Sequence, residues 1–244
     1  MPNSPHHLDN PVHYALLGPH ADFAEGEGLA LRYSPAVSAF GGLPDEATPE
    51  AWEDAHRLVQ GGSLIVARHD VEVPEGWRVD YRGVGRQMIA ESVASGESER
   101  AVPLGGEHVE AMVDLVERTK PGPFAPRTFE LGNYFGVFLE GRLAAMGGNR
   151  MRVDGYREVS AVCADPAFSG QGLGMEIVRH VVTATRNDGD EAMLHVSAAN
   201  PRAQALYERM GFVVRTELTF CAMAALYALA TASCGRESKR PGPP

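Results

Sequence analysis

Apolar and polar residues alternate with regular periods along the second half of the chain. Apolar side chains recur at helical spacing over residues 109–116, and Pro121 ends that pattern. The next run predicts two strands joined by a tight turn at Glu140-Gly141. Five further segments are predicted from their periods: strand 156–166, helix 174–190, strand 191–198, helix 200–212 and strand 213–223. This order predicts an α/β (α+β) fold with a mixed, mostly antiparallel sheet flanked by helices.

The first half of the chain gives a weaker pattern. Thr48 is placed to cap a helix over residues 48–62, with Pro49 in its first turn. A buried strand is predicted at 63–69, and a half-exposed strand or hairpin at 74–92. Residues before about Pro44 give no clear element.

The polar, glycine-rich residues 94–106 are interpreted as a boundary. They divide the chain into a smaller N-terminal α/β half at 1–100 and a second domain at 101–233. The N-terminal half is interpreted as a substrate lid or as a degenerate copy of the second domain. A tail at 234–244 is expected to be disordered.

Charge and cysteine content narrow the function classes. The net charge of −10 argues against a nucleic-acid partner and against an anionic membrane surface. No apolar run is long enough to span a bilayer, and residues 1–17 lack the features of a secretory signal, so a cytoplasmic location is expected. Cys163, Cys221 and Cys234 include no CxxC pair, so neither a disulfide framework nor a metal site is expected.

The segment "SGQGLG" at 169–174 joins a predicted strand to a predicted helix. Glycines let the backbone approach a ligand, and the first amides of a helix, with its dipole, favour a phosphate group. The segment matches neither the GK[ST] loop of nucleoside triphosphatases nor the dinucleotide fingerprint. A tight connection with no ligand remains an equal alternative from this segment alone.

Two longer stretches carry a resemblance to a known family. "AVCADPAFSGQGLGMEIV" and "LHVSAANPRAQALYERMGF" resemble the GNAT superfamily of acetyl-CoA-dependent N-acyltransferases over about residues 107–223. The second contains the pattern N-P-x-A-x-x-L-Y-x-x-x-G-F, from Asn200 to Phe212. One position departs from the family, because Ser169 stands where Arg or Gln usually opens the turn.

The resemblance implies a set of coenzyme-binding residues. The strand at 159–163 would splay from the strand at 193–197, and the pantetheine arm of acetyl-CoA would lie in the gap. The pyrophosphate would lie on the glycine turn, and Asn200 would lie near the pantetheine. The implied binding residues are Val162, Cys163, Gly170, Gln171, Gly172, Leu173, Gly174, Met175 and Asn200.

Two catalytic residues follow from the implied acetyl transfer to an amine. Glu158 is the candidate base that removes a proton from the amine, with ordered water or a solvated, inactive carboxylate as alternatives. Tyr207 is the candidate acid that protonates the leaving thiolate, with a core aromatic residue as its alternative. Cys163 is not expected to act as a nucleophile, because no base or positive pocket is evident near it.

The expected function is therefore an N-acetyltransferase that moves an acetyl group from acetyl-CoA directly to an amine acceptor, without a metal. The acceptor is a small molecule or a peptide of unknown identity, and a homodimer is one option for the assembly. The alternative is an inactive module that binds or senses acyl-CoA, which Ser169 favours. A third reading is a structural α/β domain that binds no coenzyme.

Overall fold

The architecture was taken from a computed structural model, which describes residues 6–226. The expectation of a disordered tail at 234–244 falls outside the described residues. No helix in the described part of the chain is long and apolar enough to cross a membrane.

The N-terminal region, which gave no clear sequence pattern, forms one helix and a small antiparallel sheet. The sheet has the order β1-β2-β3. The elements are α1 (Pro11–Leu17), β1 (Ala24–Glu25), β2 (Leu31–Tyr33) and β3 (Gly41–Gly42). These strands are only two or three residues long, too short for a periodic pattern to identify.

The three elements predicted in the rest of the first half are confirmed. They are α2 (Pro49–Val59), β4 (Ser63–Arg68) and β5 (Trp77–Ile89). The Thr48 hydroxyl accepts a hydrogen bond from the Ala51 amide at 3.4 Å, which caps α2 as predicted.

The second half follows the predicted order, with one added strand, β6, inside the segment interpreted as a boundary. The turn at Glu140-Gly141 has φ values of 51° and 75°, as a two-residue hairpin turn requires. The elements are β6 (Ala101–Pro103), α3 (Val109–Thr119), β7 (Tyr134–Leu139), β8 (Arg142–Val153), β9 (Tyr156–Ala164), α4 (Leu173–Asn187), β10 (Glu191–Ser197), α5 (Pro201–Met210) and β11 (Val213–Ala225).

Both halves of the chain contribute strands to one eight-stranded sheet, in the order β4-β11-β5-β10-β9-β8-β7-β6. Strands β9 and β10 are parallel, and the other neighbouring pairs are antiparallel. The predicted mixed, mostly antiparallel sheet is therefore confirmed. Because β5 lies between β10 and β11, the first half of the chain completes the sheet of the second half. The domain division at residue 100 stays a prediction.

Apolar residues pack on both faces of this sheet. Ala145 and Val162 belong to a cluster with the buried side of α4, whereas the neighbouring Met146 and Cys163 pack with α3. Because successive side chains of a strand point to opposite faces, α3 and α4 cover opposite sides of β8 and β9. The two helices thereby enclose the strands on which the candidate site lies.

Candidate active site

Strands β9 and β10 separate partway along their length. Over the described length of both strands, their parallel pairing reaches only to Glu158 and Met193, although each strand continues beyond. Ala161 has a φ of 53°, rare for a residue other than glycine, and the β8–β9 register shifts beside it. This bulge bends β9 away from β10 and leaves backbone groups of both strands facing the gap.

A cavity of about 360 Å³ occupies this gap. Both separating strands line it, together with residues from β5, β11, α5 and the segment after α3. Its lining includes Phe40, Tyr81, Pro121, Arg150, Glu158, Ser160, Val162, His195, Ser197, Tyr207 and Phe220. The two candidate catalytic residues, Glu158 and Tyr207, therefore lie on the wall of the same cavity.

Glu158 is buried and paired on both oxygens. Arg150 Nε and Nη2 donate to Glu158 Oε2 and Oε1, each at 2.8 Å. The ring nitrogen Nδ1 of His195 also lies 2.8 Å from Oε1. The Glu158 side chain is 1% exposed, which excludes the solvated carboxylate that the sequence left as an alternative.

The buried ion pair determines the protonation of Glu158. Burial raises its pKa, but the charge and hydrogen bonds of Arg150, with a smaller contribution from His195, outweigh burial and lower the pKa to about 2. The Arg150 guanidinium lies over the Phe40 ring, 4.6 Å from its centroid. Glu158 is therefore a stably ionised group that accepts three hydrogen bonds, two on Oε1 and one on Oε2.

Hydrogen bonds around Gln87 assign the tautomer of His195. The Gln87 amide is oriented by Arg215, which donates to its oxygen at 2.9 Å, and by the Leu8 carbonyl, which accepts from its nitrogen at 2.9 Å. The same nitrogen lies 3.0 Å from His195 Nε2. Because an amide nitrogen only donates, Nε2 accepts and the ring proton lies on Nδ1, where it donates to Glu158. His195 is thus a neutral imidazole.

The predicted glycine turn leads directly into α4. Gly170 and Gly172 have φ values of 80° and 72°, in the left-handed region that glycine enters without strain. Gly172 is the N-cap of α4, and no side chain caps the helix there. The Glu176 amide is the first to bond back along the helix, to the Gly172 carbonyl at 3.1 Å. The amides of residues 173–175 therefore precede the helical ladder and are suited to an anion.

A second cavity, also of about 360 Å³, adjoins this turn. Gln171, Gly172 and Met175 line it from the turn, and Arg179 contributes a positive charge from the next turn of α4. Glu176 lies there too, but Arg100 and Ser98 pair with it. The turn thus has the donors and the space that a phosphate group requires. Ser169 opens this turn, at the position where the family usually has Arg or Gln.

Tyr207 and Asn200 occupy different places around the site. Tyr207 lies in α5, packs edge-on against Phe212, and lines the gap between the strands. Burial raises the pKa of its hydroxyl, so the group stays protonated at neutral pH. The Asn200 side-chain oxygen accepts from the Ala203 amide at 3.0 Å, which confirms the predicted cap of α5 and leaves its amide nitrogen available.

The two neighbouring residues of β9 proposed to bind the coenzyme face opposite ways. Val162 lines the gap and packs on the α4 side of the sheet, while Cys163 is buried against α3. Burial raises the pKa of the Cys163 thiol to about 11, as expected for a cysteine that is not a nucleophile. Within residues 6–226, no group of three or more His, Cys, Asp or Glu side chains is arranged to hold a metal ion.

Several site residues were not found from the sequence. Arg150 and His195 complete the Glu158 pair, and Phe40, Tyr81 and Phe220 come from distant parts of the chain. Tyr81, His195 and Phe220 are brought to the gap by strand pairing over a long sequence separation, which a single sequence does not specify. Arg150 is only eight residues from Glu158, but the shifted register of the β8–β9 hairpin is not visible in the sequence.

Comparison with known proteins places this geometry in a family. The sequence model of the FR47-like protein family matches residues 134–221, which hold the turn, β9, β10 and α5. A protein from Novosphingobium aromaticivorans, described as an acetyltransferase of the GNAT family, is 34% identical with a TM-score of 0.85. The match covers 91% of this chain and all of that one. The gap, the turn and the fold thus define an acyltransferase of the GNAT type.

The chain belongs to the GNAT family of acetyltransferases. Curated relatives agree with this assignment. A mycothiol acetyltransferase from Kocuria rhizophila is 28% identical over 86% of this chain and 70% of its own length. An N-alpha-acetyltransferase, MAK3, from Arabidopsis thaliana is 26% identical over 50% of this chain and 70% of its own length. These relatives differ in name and do not define one acceptor.

Proposed function

We propose that this enzyme transfers an acetyl group from acetyl-CoA directly to a primary amine. The observation that carries the proposal is the opening between β9 and β10. The glycine turn that follows β9 adds the unpaired amides at the start of α4. Acetyl-CoA supplies the acyl group as a thioester. The gap between the strands suits its extended arm, and the glycine turn suits its phosphates.

The residues proposed to hold acetyl-CoA divide by the chemistry they offer. Backbone groups of Val162 and Cys163 would bond the arm as an added strand would, because the bulge at Ala161 has freed this edge of β9. The Asn200 amide nitrogen would contact the arm from the start of α5. The donors proposed for the pyrophosphate are the backbone amides of Gly170, Gln171, Gly172, Leu173, Gly174 and Met175.

The acceptor amine must lose a proton before its nitrogen attacks the thioester carbonyl carbon. An alkyl ammonium has a pKa of about 10.4 in water, and burial among apolar groups lowers it. The cavity offers such surroundings through Phe40, Val84 and Phe220. Part of the deprotonation would therefore come from desolvation of the amine itself.

Glu158 stays the candidate base, with ordered water as the second route. A carboxylate whose pKa lies at about 2 and whose oxygens are bonded to Arg150 and His195 is a weak proton acceptor. This favours the water route, in which the proton leaves through solvent and Glu158 orients polar groups at the gap.

The departing thiolate is proposed to take its proton from Tyr207. A thiol has a pKa of about 8.5 and a phenol about 10, so the transfer is uphill by roughly 2 kcal/mol in water. Burial of Tyr207 raises its pKa and increases this difference, but also keeps the hydroxyl protonated and ready to donate. The C–S bond breaks as the new C–N bond forms. The attacking nitrogen loses its remaining excess proton to water, and a proton from water restores the Tyr207 hydroxyl, so the products are a neutral amide and a free thiol.

The competing function is an acyl-CoA-binding or sensing module without catalysis. Ser169 favours it, because the side-chain donor usual at this position of the turn is absent. Such a module would bind acetyl-CoA but would release no thiol when amines are added.

Two measurements test the proposal together. Acetyl-CoA at a hundredfold excess over Kd should stabilise the protein by about 2.7 kcal/mol. For a chain of this length, the melting temperature would rise by roughly 5–10 °C. Thiol release during incubation with a broad amine library should then identify acceptors. No thermal shift would reject coenzyme binding, and a shift without thiol release from any amine would favour the sensing module.

A further inference from the structure

The acceptor side of the gap carries three aromatic rings, here called the aromatic wall: Phe40, Tyr81 and Phe220. The Phe40 and Phe220 rings meet edge to face, with centroids 6.2 Å apart. The His195 ring meets Phe220 in the same manner at 5.3 Å. Phe40 is 2% exposed and the Arg150 guanidinium covers one of its faces, so it supports Phe220 from behind. The partly exposed Phe220 and the exposed Tyr81 are the rings on which another flat group can pack.

Two glycines of β5 make room for the aromatic wall. A methyl group at Gly83 would overlap the phenol of Tyr81, and one at Gly85 would lie 2.5 Å from Cε2 of Phe220. Phe220 stands opposite Gly83 in the β5–β11 register. The rings therefore lie close against the strand, and any larger residue at 83 or 85 would force a ring to move. The glycines at 83 and 85 thus have a structural reason, since they let the two rings lie against β5.

The cavity has little capacity to hold a second charge. Among the described lining residues, the charged side chains are Arg150 and Glu158, and they neutralise each other through two hydrogen bonds. His195 is a neutral imidazole, oriented by Gln87. A carboxylate or a second ammonium on the acceptor would be buried there without a free partner, which is strongly unfavourable.

The size of the cavity limits the acceptor further. About 360 Å³ must hold both the end of the coenzyme arm and the reacting part of the acceptor. A single ring with a short amine-bearing chain suits the remaining space and the flat surfaces of the wall.

We propose, on the basis of the proposed acetyl transfer, that the acceptor is a primary amine on an aromatic or similarly flat apolar group with no second charge. The aromatic wall packs against the flat group, and the neutral Arg150–Glu158 pair disfavours acceptors that carry a carboxylate or another ammonium.

A matched set of four amines tests this acceptor class on the intact protein. Phenylethylamine and phenylalanine differ in a carboxylate, and butylamine and diaminobutane differ in a second amine. With saturating acetyl-CoA and thiol release as the readout, phenylethylamine should show a kcat/KM at least about tenfold above the other three. Equal or faster turnover of phenylalanine or diaminobutane would overturn the proposal.

Variants of the aromatic wall test whether its residues cause the preference for phenylethylamine. Gly85→Ala should push the Phe220 ring into the cavity and raise KM for phenylethylamine by about tenfold. Phe220→Ala should lower kcat/KM for phenylethylamine more than for butylamine. The control is Gly106→Ala, whose added methyl group would meet nothing closer than 3.8 Å and should leave both values unchanged.

Acetyl-CoA affinity, measured by calorimetry on each variant, reports whether the fold and coenzyme site are intact. If wild-type protein fails to bind acetyl-CoA, the proposed function is rejected. If it binds acetyl-CoA and acetylates other amines, but acetylates phenylethylamine no faster than the charged amines, only the acceptor class is rejected. If it binds acetyl-CoA and acetylates no amine in the library, the proposed transfer is rejected as well.

Discussion

At the residue scale, the site depends on a buried charge that is fully compensated. Glu158 has a lowered pKa because Arg150 and His195 stabilise its ionised form more than burial destabilises it. Such a pair often adds little net stability, yet removing one partner leaves the other buried and unpaired. Glu158 and Arg150 therefore act on stability as one unit.

Glu158→Gln should destabilise the fold by about 3–5 kcal/mol at neutral pH, because it leaves the Arg150 charge without its partner. Glu158 contributes stability above the ordinary carboxyl pKa of about 4.3, and this contribution is lost as pH falls toward the folded pKa of about 2. Urea unfolding between pH 7 and pH 3 should therefore show a flatter acid dependence in the variant.

The matched control is Glu130→Gln, which removes an exposed carboxylate paired with Arg127. It should cost no more than about 1 kcal/mol at any pH in this range. Equal losses in the two variants would contradict the buried-pair interpretation.

Tyr207→Phe removes only the hydroxyl proposed to protonate sulfur. Turnover should fall by roughly a hundredfold, because general acid catalysis contributes at least this much, while acetyl-CoA affinity stays unchanged. Stopped-flow thiol release and calorimetry measure the two quantities. Tyr156→Phe is the control, since Tyr156 lies outside the lining of the gap. A wild-type rate for Tyr207→Phe at every pH would assign the proton to water.

At the element scale, the junction from β9 to α4 combines a strand edge with a helix terminus. The pairing of β9 with β10 stops at Glu158, β9 then bulges at Ala161, and the turn at Gly172 presents the amides of α4. Ala161 lines the gap, and the amides of residues 173–175 precede the helical ladder, so both places are available to a ligand.

Gly172→Asp and Gly172→Asn separate charge from shape at the start of α4. Both side chains can cap a helix and tolerate the left-handed φ of 72°, and a side chain there meets only the end of Met175 at 3.9 Å. The Asp variant should bind acetyl-CoA at least about tenfold more weakly than the Asn variant, because its carboxylate would face the diphosphate.

Calorimetry over a range of salt concentrations gives the matching control. The difference between the two variants should shrink as salt rises, since screening weakens the repulsion. Identical affinities at low salt would remove the turn from the phosphate site.

The sequence predicted elements whose signals are local. The Thr48 and Asn200 caps, the Glu140-Gly141 turn and the glycine turn each depend on a few adjacent residues, and the structure has them in place. The short strands near the N-terminus and β6 were missed because they are too brief to show a period. His195 and the aromatic wall were missed because contacts between distant parts of the chain bring them together. Arg150 was missed because the register shift in the local β8–β9 hairpin is not visible in the sequence.

At the scale of the whole molecule, β5 links the two halves of the chain. It pairs with β10 on one side and along most of its length with β11 on the other. The sequence prediction of a separate domain at 101–233 therefore has a direct test.

A fragment that begins at Ala101 lacks β4 and β5, and so exposes the pairing edges of β10 and β11. We expect it to lack cooperative thermal unfolding and dispersed NMR resonances, in contrast to the full chain. A fragment that unfolds cooperatively and still binds acetyl-CoA would support an independent second domain.

Because the Arg150–Glu158 pair is neutral, different forces determine how fast an acceptor associates and how long it stays bound. A molecule with a net charge of −10 attracts a cationic amine over long distances, and dissolved ions weaken that attraction. Inside, the compensated pair offers the amine no excess charge. Ionic strength should therefore govern how often an acceptor arrives, while the fit of its ring governs how long it stays.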